Sequence, residues 1–380
     1  MASEQHLSAV ILAAGFSRRM GRFKPLLPLG ETTVVERVVS LYRTVGIADI
    51  CVVTGHGADA LRPVIEPMGV RCVTNPDYPR GMFSSLTTGV AALPAGVRGF
   101  FLHPVDVPLV RASTVVALMA AFKAEAPQVC HPCFDSRRGH PPLVAAELAP
   151  LILGWRGEGG LRAFWENHLL AVREVPVADA AILHDLDTEA DLLRMTERLA
   201  TEDLPTEEEC RVLMTRVAAV PEPVWRHCRA VAEVALALAA GANRGGAGLD
   251  LDLVRAAGLV HDIAKRRAEH AAAGAELLAA LDYPRVAYAV GVHMDIETDP
   301  EQPLDEAQLV FLADKLIQGD RLAGLDERLA RKMAKYGGDP RARAAIARRF
   351  ETAGWIASKV ERITGRSLEA LLPRSHRAQE

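Results

Sequence analysis

The chain has 380 residues, enough for two or three domains at roughly 150 residues per domain. Its formal net charge of −4 indicates neither nucleic acid nor an anionic membrane surface as a partner. The polar amino terminus and the short apolar runs predict neither a signal peptide nor a membrane span, and the six scattered cysteines favour reduced thiols in a cytoplasmic protein.

In the first half of the chain, from Leu7 to about Ala200, short apolar strands alternate with helical stretches. The predicted strands are Ala9–Ala13, Ile50–Thr54, Arg71–Thr74, Gly99–His103, Gln128–Pro132 and Ala171–Val175. The predicted helices lie near Thr33–Val45, Met82–Ala92 and Ser113–Ala124. This alternation is typical of an α/β domain with a mostly parallel sheet, whose ligands bind at the carboxyl ends of the strands.

The first predicted strand ends in a glycine turn followed by clustered cations. Gly15 opens a loop after the apolar run from Val10 to Ala14. The polar and basic residues of that loop are Ser17, Arg18, Arg19, Arg22 and Lys24. Exposed amides and cations after a buried strand are typical of a polyphosphate cradle, although a turn with a solvated basic loop has the same composition.

The spacing of this loop differs from two commoner phosphate-binding motifs. Five residues lie between Gly15 and Gly21, where a P-loop has four, and Arg22 follows in place of its lysine. No GxGxxG is present either. The stretch instead resembles the signature L-A-(A/G)-G-x-S-x-R-M-G-x-x-K of the MobA-like nucleotidyltransferases. The resemblance implies a Rossmann-like sheet and nucleotide contacts from Leu12, Ala13, Ala14, Gly15, Arg18 and Lys24.

An acid between two prolines follows the fourth predicted strand. Asp106 lies between Pro104 and Pro108, where the backbone is restrained and a carboxylate is suited to Mg²⁺. Such an acid can also be only the cap of the next helix. The MobA-like family carries an Asp in this P-x-D-x-P setting, which implies catalytic and Mg²⁺-binding roles for Asp106, beside Arg18 and Lys24 as phosphate-holding catalytic residues.

Glycines and polar residues also follow the second and third predicted strands. Serines after the third strand are suited to capping a helix, and an ordinary helix cap would explain them as well. The MobA-like family places its base and ribose contacts at these points. The resemblance implies nucleotide-binding roles for Thr54, Gly55, Asn75, Gly81, Ser84 and Ser85.

Two later segments resemble the acceptor pocket of the molybdenum cofactor cytidylyltransferase branch of this family. Residues 138–143 are similar to R-G-H-P-V-L, with a departure at Pro142. Residues 157–162 are similar to G-D-x-G-A-R, with departures at Glu158 and Leu161. The resemblance implies acceptor contacts from Arg138, Gly139, His140, Gly157 and Arg162. Ala14, at the third position of the opening motif, resembles the branch that uses CTP more than the branch that uses GTP.

The first domain closes with Leu183–Leu192, which resembles the D-I-D-T-P-E-D-L ending of the family and departs from it at Ala190. The resemblance implies that an acid before the threonine helps to hold the metal. Asp187 is the first choice for this metal ligand, and Asp185 is the alternative. Capping of the last helix by Asp187 or Thr188 is compatible with this role.

An acidic segment with a proline, 201–210, predicts a linker between a domain at 1–200 and a second domain at 211–372. The second domain is rich in Ala, Leu and Arg with helical periodicity, which predicts an all-α fold. Its candidate ligands are His227, His261, Asp262, His270, His293 and Asp314. A single histidine on a helix is usually a hydrogen-bonded core residue, but this set favours a metal site for Fe, Mn or Zn.

This order of ligands resembles the HD-domain phosphohydrolases, with His227, His261, Asp262 and Asp314 as the core set. His270 and His293 resemble the di-metal subgroup that includes bacterial diadenosine tetraphosphate hydrolases. The resemblance implies one or two divalent transition metals, which make a hydroxide that attacks a phosphate ester or anhydride. Lys265 matches the H-D-I-A-K continuation, which implies a phosphate contact.

These features predict a bifunctional enzyme. The first domain is expected to transfer a nucleotidyl group from CTP to a phosphate acceptor, above all molybdopterin-type cofactor, with release of pyrophosphate and with a molybdoenzyme as recipient of the product. The HD domain is expected to act on a nucleotide related to that reaction. The alternatives are a sugar or polyol phosphate as the acceptor, or a nucleotide-sensing regulator with an HD domain.

Overall fold

The computed structural model describes residues 6–17, 19–299, 301–336 and 338–373. The chain divides into two compact units, Met1–Glu202 and Asp203–Glu380. Arg18, which the sequence predicts to hold a phosphate, lies outside the described residues. A helix that begins at Glu207 lies partly within the segment predicted as a linker. None of the helices in these ranges is long and apolar enough to cross a membrane.

The first unit contains one mixed sheet, which we label β1 to β7. The strands are Leu7–Ala13, Asp49–Thr54, Arg71–Thr74, Gly99–Pro104, Val129–Phe134, Leu143–Ala145 and Val172–Pro176. Their order across the sheet is β7-β5-β6-β4-β1-β2-β3. Strand β1 is parallel to β2 and β4, β3 pairs in parallel with β2, and β7 pairs in parallel with β5. Strand β6 is antiparallel to β4 and β5. The predicted mostly parallel α/β sheet is therefore confirmed.

Helices cover this sheet, and two-residue strands lie outside its main order. The helices α1 to α7 are Val34–Thr44, Ala58–Ile65, Met82–Ala91, Ala112–Glu125, Ala149–Gly154, Gly160–Asn167 and Glu189–Ala200. Short 3₁₀ turns are found at Lys24–Leu26, Glu66–Met68, Tyr78–Arg80, Ala146–Leu148 and Ala180–Leu183. The two-residue strands are Pro28–Leu29, Thr32–Thr33 and Arg137–Arg138.

Strand β1 lies inside the sheet, and all seven of its residues are buried, which explains its continuous apolar run. Leu12 of β1 pairs with Pro104 of β4, so the chain leaves both strands at the same edge of the sheet. Helix α3 lies close above β1, because a Cβ on Gly89 would be 2.4 Å from Val10 Cγ1. This edge therefore brings the glycine turn, Asp106 and the start of α3 together.

The second unit is helical apart from a short hairpin, Ile317–Gln318 with Arg321–Leu322, so the predicted all-α domain is confirmed. The helices α8 to α16 are Glu207–Val212, Glu222–Arg244, Leu251–Val260, His270–Ala280, Pro284–Val292, Glu306–Leu316, Leu325–Tyr336, Pro340–Thr364 and Leu368–Leu371. A π-helical turn, Leu213–Val217, continues α8. Helices α9 and α10 pack closely, since a Cβ on Gly258 would lie 2.7 Å from Ala232 Cα.

Candidate functional sites

The first candidate site is a cleft of about 350 Å³ at the carboxyl edge of the sheet. The glycine turn, the start of α3 and the loop after β4 line it. The residues of its lining that the sequence predicts to bind nucleotide or metal are Leu12, Ala13, Ala14, Gly15, Lys24, Gly81, Ser85 and Asp106. One cavity thus brings together the two motifs that lie far apart in sequence.

Lys24 lies between two carboxylates of this site. Its Nζ is 2.6 Å from Asp187 Oδ1 and 3.5 Å from Asp106 Oδ2. The Lys24 backbone N–H donates to Ser17 Oγ at 3.1 Å, which closes the basic loop upon itself. The Leu186 N–H donates to the Asp106 carbonyl at 2.7 Å, and this bond holds the end of the domain beside Asp106.

A third carboxylate lies close enough to interact with these two. Burial raises the pKa of Asp185, and the charges of Asp106 and Asp187 add to the shift. The hydrogen bond from Lys24 lowers the pKa of Asp187, helped by Arg19, whose Nη1 is 2.5 Å away. Three carboxylates in one place form an oxygen donor set of the kind that Mg²⁺ prefers. Arg19 is an exposed residue of the basic loop and occupies the arginine position of the family motif, although the sequence analysis assigned the phosphate contact to Arg18.

Three predicted nucleotide-binding residues lie behind the wall of the cleft. Thr54 is buried, and its Oγ1 is 3.2 Å from Thr74 Oγ1. Asn75 Nδ2 donates to Ser84 Oγ at 2.9 Å and to Ser85 Oγ at 3.0 Å, which ties the third strand to the start of α3. The structure therefore places Thr54 and Asn75 where they support the cleft, and Ser84 is bound to Asn75.

Close backbone approach explains the glycine at position 55. A Cβ on Gly55 would lie 2.7 Å from Tyr78 Cβ and 2.8 Å from Ala14 Cβ.

The rings of Tyr78 and Phe16 have centroids 5.1 Å apart, and both residues line the cleft. The sequence analysis missed this aromatic pair, because both residues are in loops, where no periodic pattern singles them out.

The predicted acceptor-binding residues do not all contact the same part of the unit, unlike most of the predicted nucleotide-binding residues. Burial lowers the pKa of His140, and the Asp106 charge opposes the shift. Before it, a Cβ on Gly139 would lie 2.5 Å from the Ile182 carbonyl oxygen. The other members contact their own surroundings: Arg138 pairs with Glu174 at 2.7 Å, Arg162 with Glu166 at 2.9 Å, and Gly157 packs on the Trp155 ring.

The second candidate site is a buried cluster of histidines and aspartates at the ends of the helices of the second unit. His227 and Asp314 lie in α9 and α13, His261 and Asp262 directly follow α10, His270 opens α11, and His293 follows α12. All six predicted ligands therefore converge, although they are spread over nearly ninety residues of sequence.

The two oxygens of Asp262 face different pairs of histidines. Oδ2 is 3.9 Å from His227 Nε2 and 3.7 Å from His261 Nε2, whereas Oδ1 is 3.3 Å from His270 Nε2 and 3.5 Å from His293 Nε2. Ligands about 2.1 Å from a shared ion are about 3.0–3.4 Å apart, which is close to these separations. The arrangement fits two cation positions bridged by one carboxylate.

Hydrogen bonds fix which nitrogen of two buried imidazoles is free to coordinate. Nδ1 of His261 is 2.9 Å from the Gly258 carbonyl, and Nδ1 of His293 is 2.6 Å from the Val290 carbonyl. Because a carbonyl only accepts, each Nδ1 must carry a hydrogen, and each ring turns its Nε2 toward Asp262. These Nε2 atoms have no hydrogen-bond partner in the described chain, so a cation between the ring and the carboxylate would satisfy both.

The charges of this cluster depend strongly on one another. Burial would raise the pKa of Asp262, but the histidines around it and Lys265, whose Nζ is 2.9 Å away, hold that pKa well below its usual range. Burial lowers the pKa of His261 to about 4. The carboxylate is therefore ionised and the His261 imidazole neutral at neutral pH, which are the forms that bind metal.

The comparisons with known proteins agree with this division of the chain. Residues 9–172 match the MobA-like NTP transferase domain and residues 224–318 match the HD domain. The chain belongs to the MobA-like NTP transferase family and carries an HD domain after that domain. The nucleotidyltransferase and HD assignments, and the α/β and all-α folds that accompany them, are thus confirmed, and they support an enzyme.

The relatives each match part of the chain. Nicotine blue oxidoreductase of Paenarthrobacter nicotinovorans is 31% identical over 199 residues, which are 50% of this chain and 96% of that protein. The bifunctional protein GlmU of Leifsonia xyli subsp. xyli is 35% identical over 126 residues, which are 32% of this chain and 26% of that protein. Rv0371c of Mycobacterium tuberculosis H37Rv is a solved structure with 27% identity and a TM-score of 0.47, covering 51% of this chain and 99% of its own.

Proposed function

We propose that the cleft of the first unit transfers a cytidylyl group from CTP to the phosphate of a molybdopterin-type cofactor, with release of pyrophosphate. The observation that carries this proposal is the meeting of Gly15, Lys24 and Asp106 around one cleft of about 350 Å³. Strongly charged groups around such a cleft suit phosphoryl chemistry, which depends on positioning and on charge neutralisation and needs no protein nucleophile.

The side chains of the cleft have separate parts in the proposed reaction. The backbone of the glycine turn holds the triphosphate, and Lys24, with Arg18 as a further candidate, neutralises the phosphates that leave as pyrophosphate. Mg²⁺ bound by Asp106 and Asp187, with Asp185 as the reserve ligand, would supply the charge that draws the acceptor oxygen and the α-phosphate together. Lys24 now bridges the two carboxylates, so it must turn toward the phosphates when the nucleotide arrives.

The choice of CTP and of the acceptor rests on resemblance to the molybdenum cofactor cytidylyltransferase branch. Ala14 supports CTP, and the segments around His140 and Gly157 support that acceptor. The Asp106 charge acts on the pKa of His140, one of these acceptor candidates.

The test is incubation of the full chain with Mg²⁺, each of the four nucleoside triphosphates and molybdenum cofactor, with mass spectrometry of the product. We expect a cytidylylated cofactor with CTP and at most traces with the other nucleotides. Equal yields with all four would contradict the proposed base choice, and no product with any of them would contradict the acceptor.

A second candidate acceptor is a sugar or polyol phosphate. The departures at Pro142, Glu158 and Leu161 from the molybdenum cofactor pattern favour it. Replacing the cofactor by sugar and polyol phosphates in the same assay separates the two acceptors. A nucleotide-sensing regulator would bind CTP and form product with none of them.

For the second unit we propose a metal-dependent phosphohydrolase. The bridging position of Asp262 between two pairs of histidines supports two divalent ions of the Fe, Mn or Zn group. Such ions would activate a water for attack on a phosphate, and Lys265 would neutralise the phosphate from the open side of the site. Elemental analysis of the purified chain, together with a hydrolysis screen of phosphate esters and anhydrides, tests this proposal. Fewer than half an ion per chain would contradict it.

A further inference from the structure

A second cleft, of about 340 Å³, opens onto the histidine cluster, and cations form much of its wall. Its basic residues are Lys265, Lys315, Arg328, Lys332 and Arg349. Three of them belong to α14 and α15, beyond residues 224–318 that match the HD domain. The wall that these helices add is therefore a feature of this chain that the family match does not cover.

Three of the five cations are paired with carboxylates. Lys265 lies 2.9 Å from Asp262, Lys315 lies 2.8 Å from Asp314, and Arg349 Nε donates to Asp295 at 2.8 Å. Their charges are largely balanced by these partners, so they add little net attraction for a distant anion.

The two cations of α14 are not balanced in this way. Arg328 donates to the backbone carbonyls of Asp314 and Ile317, which are neutral acceptors. Lys332, one turn further along the helix, has no hydrogen-bond or ion-pair partner among the described residues. Lys332 is an exposed residue at the wall of the cleft. Partial desolvation and the Arg328 charge lower its pKa, and the Asp314 charge opposes the shift. The Asp314 charge acts on both cations, but its carboxylate is already paired with Lys315, so a further anion at this wall of the cleft would be stabilised by both cations.

We propose that Arg328 and Lys332 form a second phosphate subsite beside the histidine cluster, so that the second unit selects substrates with two linked phosphates. This inference rests on the proposed phosphohydrolase function and names its substrate class. A phosphate monoester fills only the position over the histidines, whereas a phosphoanhydride also places its second phosphate against α14.

The reaction on such a substrate balances without any further reactant. The oxygen of a water forms a bond to the phosphorus over the histidine cluster, and the bond from that phosphorus to the bridging oxygen breaks. The bridging oxygen keeps the electron pair and leaves with the second phosphate. The water's protons pass to the product phosphates and to the solvent. The charge that develops on the leaving phosphate lies beside Lys332, so the subsite aids departure as well as binding.

Binding of uncleavable analogues to the full chain with Mn²⁺ tests the subsite apart from catalysis. The probes are methylphosphonate, methylenediphosphonate and α,β-methylene-ADP, measured by calorimetry. The test variant is Lys332→Gln. Its control is Lys335→Gln, the same change one turn further along α14, at a side chain that lies over the Tyr336 ring and outside the lining of the cleft.

We expect Lys332→Gln to weaken binding of both two-phosphate analogues about tenfold, with methylphosphonate changed less than about twofold and Lys335→Gln like the wild type. Tighter binding of α,β-methylene-ADP than of methylenediphosphonate would assign the anhydride to a nucleotide, and the reverse would assign it to inorganic diphosphate. Equal weakening for all three probes, or none, would overturn the subsite. Selective binding without turnover of ADP or diphosphate would keep the subsite and contradict the hydrolase function instead.

Discussion

Asp262 is the residue on which the second site depends most, because each of its oxygens faces a different pair of histidines. In Asp262→Asn the bridging negative charge is lost, and the buried histidines no longer face a carboxylate with which they could share a metal ion. We expect bound metal to fall by at least about half and hydrolysis to fall by about a hundredfold or more, since losing even an outer-shell partner of a ligand typically costs 10–100-fold. Elemental analysis and a phosphate-release assay measure these effects.

The matched control is Asp252→Asn on α10, the helix that precedes Asp262, where the carboxylate is exposed and pairs with Arg255. It should keep the metal and the activity of the wild type. Unchanged metal content in Asp262→Asn would contradict a bridged pair of ions.

His103 gives the first unit a dependence on pH that can be derived from its contacts. Its Nε2 donates to the Val107 carbonyl at 2.9 Å, so its Nδ1 accepts from the Tyr42 hydroxyl at 2.8 Å. Burial lowers the pKa of His103 to about 4. Because the unfolded chain takes up the proton first, this contribution to stability is complete above the ordinary pKa of about 6.5 and is lost as the pH falls toward 4.

We expect the free energy of opening of β4 to fall by about 2 kcal/mol from this residue between pH 7 and pH 5. Hydrogen-exchange mass spectrometry of the β4 peptide, corrected for intrinsic rates, measures it. His103→Phe should flatten the pH dependence, whereas His184→Gln, at an exposed histidine, should leave it as in the wild type. An equal slope in all three proteins would contradict the derivation. Burial also lowers the pKa of His131 to about 4. This second histidine accounts for any pH dependence of stability that remains in His103→Phe.

At the scale of secondary structure, the close packing of α9 and α10 holds His261 and Asp262 in place. A Cβ on Gly258 would lie 2.7 Å from Ala232 Cα, a backbone atom that cannot move independently of its helix. We expect Gly258→Ala to cost about 1–3 kcal/mol of stability and to reduce metal binding, because it separates the two helices. Thermal unfolding and elemental analysis measure the two effects.

Gly354→Ala is the matched control, since Gly354 also lies inside a helix of the second unit but has no atom within 4 Å of its added Cβ. It should leave the melting temperature unchanged or raise it, because alanine favours a helix over glycine. Equal loss of stability in both variants would contradict the packing argument.

The strands that the sequence predicted are those whose signal is local. Each of the six predicted segments overlaps an observed strand. Inside the sheet, strands such as β1 form a continuous apolar run that is buried on both faces, whereas β3 and β7 lie at its edges and are partly exposed. The antiparallel strand Leu143–Ala145 was missed, since it is only three residues long and is stabilised by pairing with strands that are distant in sequence. Its place between β4 and β5 holds the segment that carries His140.

The same distinction applies to the candidate sites: some of their residues are indicated by the sequence, and others only by the fold. Residue type and order indicated the six ligands of the histidine cluster, and the structure brings them together. Arg328 and Lys332 had no such signal, because a basic residue on an amphipathic helix usually faces solvent. Their importance follows only from the folding of α14 over the cleft.

At the scale of the whole molecule, the chain carries two candidate sites in its two compact units, each with its own carboxylates and cations. Loss of one site should therefore leave the chemistry of the other intact. Asp106 and Asp262 are suited to a comparison, since each lies at the centre of its site and Asp→Asn changes charge with little change in shape.

The most direct measurement follows the mass of the nucleotidylated product and the release of phosphate in the wild type, Asp106→Asn and Asp262→Asn, with CTP, Mg²⁺, Mn²⁺ and the acceptor present. We predict that Asp106→Asn forms less than about a hundredth of the wild-type product and still hydrolyses phosphoanhydrides, while Asp262→Asn forms the product and no longer hydrolyses them. Product formation by Asp106→Asn at the wild-type rate would contradict the central claim, that the glycine turn and Asp106 act on the same triphosphate.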